Sequence, residues 1–212
     1  PRSTLFPYTT LFRSEGIDFR SINYLLEFNV DTYDRLYYPN SGVKFKLYGR
    51  LATRGLEDYV EFNPYSSVIL KYSSVLSVGK ILAVIPELSA GVGFGTMVPI
   101  VYYNYLGGRT DYQMLNSFQF AGMELMEIQK KNAAVAAMNF RLRLAQNHYF
   151  TLLTNLGAAA ETYKNLADLD GWFSGVGISY GYNSLIGPVD ISLSTASTHD
   201  SPLTYVSVGF WF

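Results

Sequence analysis

A period of two runs along this chain from Ile22 to its last residue. Ile22, Tyr24, Leu26, Phe28 and Val30 are apolar, with Asn23, Glu27 and Asn29 set between them. Val43, Phe45 and Leu47 alternate with Lys44 and Lys46, and Val68, Leu70 and Tyr72 bracket Lys71. Phe140, Leu142 and Leu144 alternate with Asn139, Arg141 and Arg143. Val176, Ile178 and Tyr180 alternate with Gly175, Gly177, Ser179 and Gly181, and Val189, Ile191 and Leu193 with Asp190, Ser192 and Ser194. The chain closes with Val206, Val208, Phe210 and Phe212 on one side. Successive strand side chains point to opposite faces, so this pattern writes two-faced β-strands and excludes a helical fold.

Turn signals divide the strands. Pro39-Asn40-Ser41-Gly42, Gln146-Asn147, Gly187-Pro188 and His199-Asp200-Ser201-Pro202 each fall between alternating runs. The spacing predicts nine strands, at about 20–31, 42–54, 62–77, 80–95, 131–145, 148–160, 172–183, 187–196 and 203–212. Residues 96–130 fit no such pattern and are expected to form a long loop with irregular extensions. The alanine-rich stretch Ala133–Met138 has helix propensity. The alternation from Asn139 onward continues it, so strand is expected.

Alternation fits a soluble sandwich as well as a barrel in a membrane. Two features favour the membrane. Aromatics gather near strand ends, as at Tyr37, Tyr38, Tyr59, Phe62, Tyr65, Tyr102, Tyr103, Tyr105, Tyr180, Tyr182, Phe210 and Trp211. Rings with a polar edge suit the headgroup level. The terminal run Val206, Val208, Phe210 and Phe212 is similar to the C-terminal signal that barrel-assembly machinery reads. The opposite face then lines the lumen and carries Glu27, Lys44, Lys46, Arg50, Lys71, Arg141, Arg143 and Asp190. In hydrocarbon a basic residue costs about 2–4 kcal/mol at mid-depth, which fixes the inside-out sense. Gly175, Gly177, Ser179 and Gly181 leave room inside for a plug or a close-packed loop. The fold class expected is therefore all-β, an antiparallel transmembrane β-barrel fragment of about nine strands.

Other classes fall away on composition. No run of 18 apolar residues exists, so no transmembrane helix is expected. A net charge of -1 gives no footprint for nucleic acid. With no cysteine there is no disulfide framework and no thiol nucleophile. Two histidines, His148 and His199, leave little for a metal centre, and no cofactor is expected.

Residues 1–14, PRSTLFPYTTLFRS, resemble a translated sequencing adapter and are set apart from the fold. The barrel region is expected to span 15–212. Single-chain bacterial barrels have even strand counts, so nine strands predict a missing N-terminal part of the same protein.

At this point the residues resemble a family. Asp34–Val43 (DRLYYPNSGV) is similar to the strand-opening P-x-x-G element of Omp85-type surface-antigen barrels. Tyr105-Leu106-Gly107-Gly108 resembles the opening of their long inward-folding loop, and Gly175–Asp190 the hairpin before their last strands. Val208-Gly209-Phe210-Trp211-Phe212 resembles their closing strand. The resemblance implies the C-terminal nine strands of a 16-stranded barrel. Phe118–Gly122, Met126-Glu127, Asn147-His148-Tyr149 and the Gly209–Phe212 ending resemble most the barrel that follows a patatin-like phospholipase domain. Omp85 assembly factors carry Arg-Gly-Phe or Arg-Gly-Tyr in the long loop. Here the only Arg-Gly is Arg54-Gly55, before Leu56 and outside that loop.

Catalytic patterns are sparse. Gly177-Ile178-Ser179-Tyr180-Gly181 matches G-x-S-x-G, but a nucleophile elbow needs a strand-to-helix turn, and these residues alternate within a strand. Asp170-Gly171 lies upstream of it and precedes Trp172, and Gly107-Gly108-Arg109 is too short for an oxyanion loop. His199, Asp200 and Ser201 are adjacent, whereas triad members converge from separate elements. Glu124 and Glu127 are expected on a solvated loop face, and His148 at a turn.

The leading expectation is a barrel that anchors, and helps export, an upstream patatin-like lipid acyl hydrolase, with no catalytic residue in this chain. The alternative is the barrel of an Omp85-type assembly or secretion factor, distinguished by POTRA repeats upstream. A porin or transporter is the third. Each places the chain in the bacterial outer membrane, among lipid, with the barrel-assembly machinery engaging its last strand.

Overall fold

The computed structural model describes residues 21–55, 64–96, 98–109, 115–185 and 187–209. The chain forms β1 (Ser21–Asp31), β2 (Gly42–Gly55), β3 (Tyr65–Val78) and β4 (Leu82–Phe94), then three short strands, β5 (Asn104–Leu106), β6 (Ser117–Phe118) and β7 (Ile128–Lys130). Five long strands follow: β8 (Asn132–Ala145), β9 (His148–Ala160), β10 (Trp172–Ser184), β11 (Gly187–Ala196) and β12 (Leu203–Val208). Single 3-10 turns lie at Ile100–Tyr102, Tyr163–Ala167 and Leu169–Gly171. Ala133–Met138 is strand despite its alanines, because β4 and β9 supply ladder partners on both sides.

The nine long strands make one sheet in the order β1-β2-β3-β4-β8-β9-β10-β11-β12, every neighbour antiparallel. Among the described residues β1 and β12 are its edges and do not pair with each other. Phe210 and Phe212 of the terminal run, and residues 1–14, lie outside the described residues.

Among the described residues, nothing packs against one face of the sheet. Val68, Leu76, Leu88, Phe140, Leu142, Leu152, Leu156, Val176, Ile178, Ile191 and Leu193 are all exposed on it, as are Val206 and Val208 of the closing strand. A contiguous apolar surface of this breadth would be costly in water and is what a lipid-facing wall requires. No described helix is long and apolar enough to cross a membrane.

The stretch 96–130, expected as an irregular loop, contains a small second sheet. β5 pairs antiparallel with β7 and parallel with β6. Two- and three-residue strands carry too few side chains to show a period. Tertiary partners on the large sheet hold them instead.

The inner face is also less polar than alternation suggests. Tyr48, Ile69, Ala133, Val135 and Ala196 of the large sheet form one buried cluster with Leu106, Phe118, Phe120 and Met123 of the inward segment. These sheet residues are apolar because they meet protein, not water.

Candidate functional site

Segment 98–130 lies on the inner face, and small residues make the space for it. A Cβ on Gly157 would come within 2.8 Å of both Phe120 and Phe173. One on Gly175 would meet Phe120 and the Ala121 carbonyl, and one on Gly91 would overlap the Asn104 side chain. The segment turns at Gly107 and Gly108, whose φ angles of 124° and 75° disfavour any side chain. From there the Phe120 amide donates to the Gly108 carbonyl at 3.0 Å, and the Gly108 amide to Met123 at 3.2 Å. Phe118, Phe120, Leu106 and Met123 are all buried to 1% exposure or less, and with Asn132 they are the largest fully buried side chains among the described residues.

Polar side chains fix its backbone to the wall. Lys71 Nζ donates to the Ser117 carbonyl at 2.8 Å. The Ala121 amide donates to Asn155 Oδ1 at 3.2 Å, and the Gly122 amide to Ser194 Oγ at 2.9 Å. Tyr205 on β12 donates to the Met123 carbonyl at 3.0 Å. Asn104 Nδ2 bridges the Gly91 and Lys131 carbonyls. Backbone groups buried away from water need such partners, so each bond specifies where the segment sits. Near its end, Glu127 Oε2 meets His199 Nε2 at 2.7 Å and accepts the Glu124 amide at 2.7 Å.

A second insertion comes from the β1–β2 connection. Asp34 Oδ1 accepts the Asn40 and Ser41 amides at 2.7 and 3.2 Å, folding the loop on itself. Burial alone raises the Asp34 carboxyl, but these bonds and the Arg35 guanidinium together outweigh it and hold it below its usual range. Tyr38, at φ 49°, reaches inward and lies flat on Tyr149. Its hydroxyl donates to Asp190 Oδ2 at 2.7 Å, while Arg141 faces both rings and donates to the Pro39 carbonyl. Burial first, and then Asp190, push the Tyr38 hydroxyl far above its ordinary range. Burial likewise raises Tyr33, whose hydroxyl donates to Ser73 Oγ at 2.7 Å. Burial lowers the Arg109 guanidinium, against the opposing pull of Asp190, Glu87 and Tyr38.

The charged residues read from the alternation lie as follows. Lys71, Arg141 and Asp190 touch the inserted segments directly. Arg50 stacks on Tyr102 at 3.8 Å and bonds the Tyr48 hydroxyl. Lys46 stands opposite Lys71 in the register, and Lys44 opposite Ser73, with Asp31 3.9 Å from its ammonium. Glu27 stands opposite the buried Tyr48, and Arg143 opposite the buried Tyr149. Cross-strand partners share a face, so all eight lie on the face that carries the inserted segments.

Ser179 sits in mid-β10, opposite Thr151 and Ser192, with a third strand on each side and no helix following. His148, at the start of β9, contacts the Tyr180 hydroxyl at 2.6 Å and stacks on Tyr182. Tyr38, Tyr149, Asn104, Asn155, Tyr205 and Arg109 were not foreseen as site residues. The sequence signals of Tyr38, a strand-end aromatic just before a P-x-x-G turn, place it at the headgroup level, whereas the ring turns inward onto Tyr149.

The model of one family, described as the OMP85 superfamily, matches residues 11–212. No curated protein matches the chain. Among solved structures 43 chains match. One is BamA from Haemophilus ducreyi, crystallised without POTRA domains 1–3, at a TM-score of 0.65 and 13% identity. The match covers 87% of this chain and 42% of that one, so the chain spans under half of the relative's length. At that identity the likeness is one of fold. These comparisons support an Omp85-type barrel and offer no support for a patatin-like domain. The nine-stranded sheet, its apolar outer wall and the family match together establish that this chain belongs to the Omp85 superfamily.

Proposed function

We propose that this chain is the membrane-embedded barrel part of an Omp85-type outer-membrane protein that assembles or secretes other proteins. The observation that carries this reading is the seating of segment 98–130 on the glycine-lined inner face. A porin keeps that space open for solute. Here Phe118, Phe120 and Met123 occupy part of it, packed on the inner face, which disfavours simple conduction as the purpose. Gly107-Gly108, at the bend of the segment, is the feature shared with the family's long inward loop.

The partners in this reading are outer-membrane lipid around the apolar wall and the upstream part of the parent protein. The barrel-assembly machinery would engage the closing strand when this barrel is itself inserted. No residue of the chain is assigned a catalytic role. Tethering of a patatin-like lipase rests on Phe118–Gly122 and Asn147–Tyr149 as sequence likenesses alone, and it is kept as an outcome of the test.

The test is to recover the source DNA upstream of Glu15 and to deplete the parent protein in its host. POTRA-like repeats upstream, with loss of other barrel or secreted proteins on depletion, are expected. A Gly-x-Ser-x-Gly domain with a later Asp-Gly-Gly or Asp-Gly-Ala, and no POTRA repeats, would overturn the proposal in favour of a tethered lipid hydrolase.

A further inference from the structure

Where the β1–β2 connection, the β3–β4 turn and the end of β8 meet, they enclose a recess of about 360 Å3. Its lining includes Lys80, Arg141, Arg143, Asn40, Ser41 and Tyr149, and no carboxylate. Arg141 and Arg143 are two apart on one strand, so both point into it, about 7 Å from each other along the strand. Arg141 is held in place by the Pro39 carbonyl and by the Tyr38 and Tyr149 rings. The side chains of Lys80 and Arg143 have no hydrogen-bond or ion-pair partner among the described residues. Asp190, which acts on Arg141 electrostatically, is bonded to the Tyr38 hydroxyl and does not line the recess.

We propose that this recess is a binding site for a phosphate group, supplied by a lipid headgroup or as the free anion. Three cations with no acid among them call for more than one negative charge. A phosphomonoester brings about -1.5 to -2, whereas a carboxylate brings only -1. Two planar guanidiniums offer the forked donors that phosphate oxygens accept, and the lysine adds a point charge. Asn40, Ser41 and Tyr149 complete the lining, and the Asn40 and Ser41 amides are held by the Asp34 carboxylate behind it. Depth agrees as well. A strand crosses the hydrocarbon in about 9–11 residues. β8 has 14, and Arg143 lies near its end on the inner face, level with the membrane's polar boundary rather than its hydrocarbon centre. The inference uses the barrel fold alone and stands whichever domain lies upstream.

The experiment is titration calorimetry on the full-length parent in zwitterionic detergent at about 0.15 M salt, where exposed charges are screened within about 8 Å. The probes are inorganic phosphate and dihexanoyl phosphatidic acid. Saturable binding of at least one is expected, weakened about tenfold or more by combining Lys80→Gln with Arg143→Gln and unchanged by Lys46→Gln elsewhere on the inner face. Binding of both probes assigns the site to the free anion as well as the headgroup, and binding of the lipid alone assigns it to the headgroup. Heat-modifiable gel migration checks that each variant is folded. Should the double variant fail that check, Lys80→Gln alone carries the comparison, since its side chain holds nothing in place. No saturable binding of either probe, or an equal loss in Lys46→Gln, would overturn the proposal.

Discussion

Tyr38 lies flat on Tyr149, their ring centroids 4.1 Å apart and their planes 12° from parallel. One residue belongs to the β1–β2 connection and the other to β9, so the stack ties the start of the sheet to its far half. Tyr38→Phe keeps the stack and removes the donor to Asp190. A loss of about 1–3 kcal/mol is expected, because the half-buried carboxylate loses its partner. Tyr38→Ala removes ring and donor together and should cost more, about 3–5 kcal/mol. Urea unfolding of the parent protein in detergent, followed by tryptophan fluorescence, would rank the two. Equal costs would mean that the ring contributes nothing.

The same residue sets an alkaline limit. The Tyr38 hydroxyl is raised in the folded state, so the folded protein keeps a proton that the unfolded chain sheds. The stability this proton represents is complete below the unfolded value of about 10 and is lost as pH rises above it. Asp34 works in the opposite sense. Its carboxyl is lowered on folding, so its contribution is present above about 4 and is lost as pH falls. The unfolding midpoint of Tyr38→Phe should therefore fall less than wild type between pH 9 and 11. Parallel curves would show that Tyr38 is not the group responsible.

The glycines of the inner face should act as a sizing gauge for the inserted segment. Gly157→Ala and Gly175→Ala each drive a methyl group into Phe120 or the Ala121 carbonyl. Overpacking of this kind costs about 1–3 kcal/mol, and the segment is the part free to yield. Limited proteolysis should then cut within 98–130 faster than in wild type. Gly171→Ala, where a Cβ meets nothing within 4 Å, serves as the control. Unchanged cleavage in both inner-face variants would mean that the segment is not seated there.

These cases also mark what could be read in advance. The long strands were legible because the outer wall is apolar at every second position, as in Val176, Ile178 and Tyr180, and the turns between them are short. The sidedness of Lys71, Arg141 and Asp190 followed from the same alternation. The partners of those charges did not, because Lys71 meets the Ser117 carbonyl and Asp190 meets Tyr38 across long gaps in sequence. Tyr38 adopts a backbone conformation uncommon for any residue but glycine, and nothing local announces it. β5 and β6 pair in parallel over two residues, too few for any periodic signal. Glu127 is exposed, in line with the solvated face its sequence suggests, but its contact with His199 of the β11–β12 turn bridges 72 residues and has no local signal.

The Glu127–His199 contact and the Tyr205 bond to Met123 both link the last hairpin to the segment, but with unequal weight. Glu127 and His199 are partly exposed, and such a pair contributes about 0–1 kcal/mol. Tyr205→Phe leaves the Met123 carbonyl without that donor and should cost about 1 kcal/mol. Hydrogen exchange on the Gly107–Met123 amides should rise more in Tyr205→Phe than in Glu127→Gln. The reverse order would place the stronger tie at the histidine.

Ser179 offers the sharpest separation of motif from structure. Its residue is 2% exposed and its Oγ has no hydrogen-bond partner among the described residues, at the centre of a strand paired on both sides. A buried hydroxyl without a partner costs about 1–3 kcal/mol relative to a satisfied one. Ser179→Ala is therefore expected to leave stability unchanged or to raise it slightly, and to leave any esterase activity of the parent unaltered. Para-nitrophenyl ester hydrolysis and a urea midpoint, measured on the same preparation, check both. A nucleophile would show the opposite pair of results, with activity abolished and folding intact. That pair would move catalysis into the barrel wall, where the burial of Ser179 on the inner face leaves an acyl group no path to the oxygen.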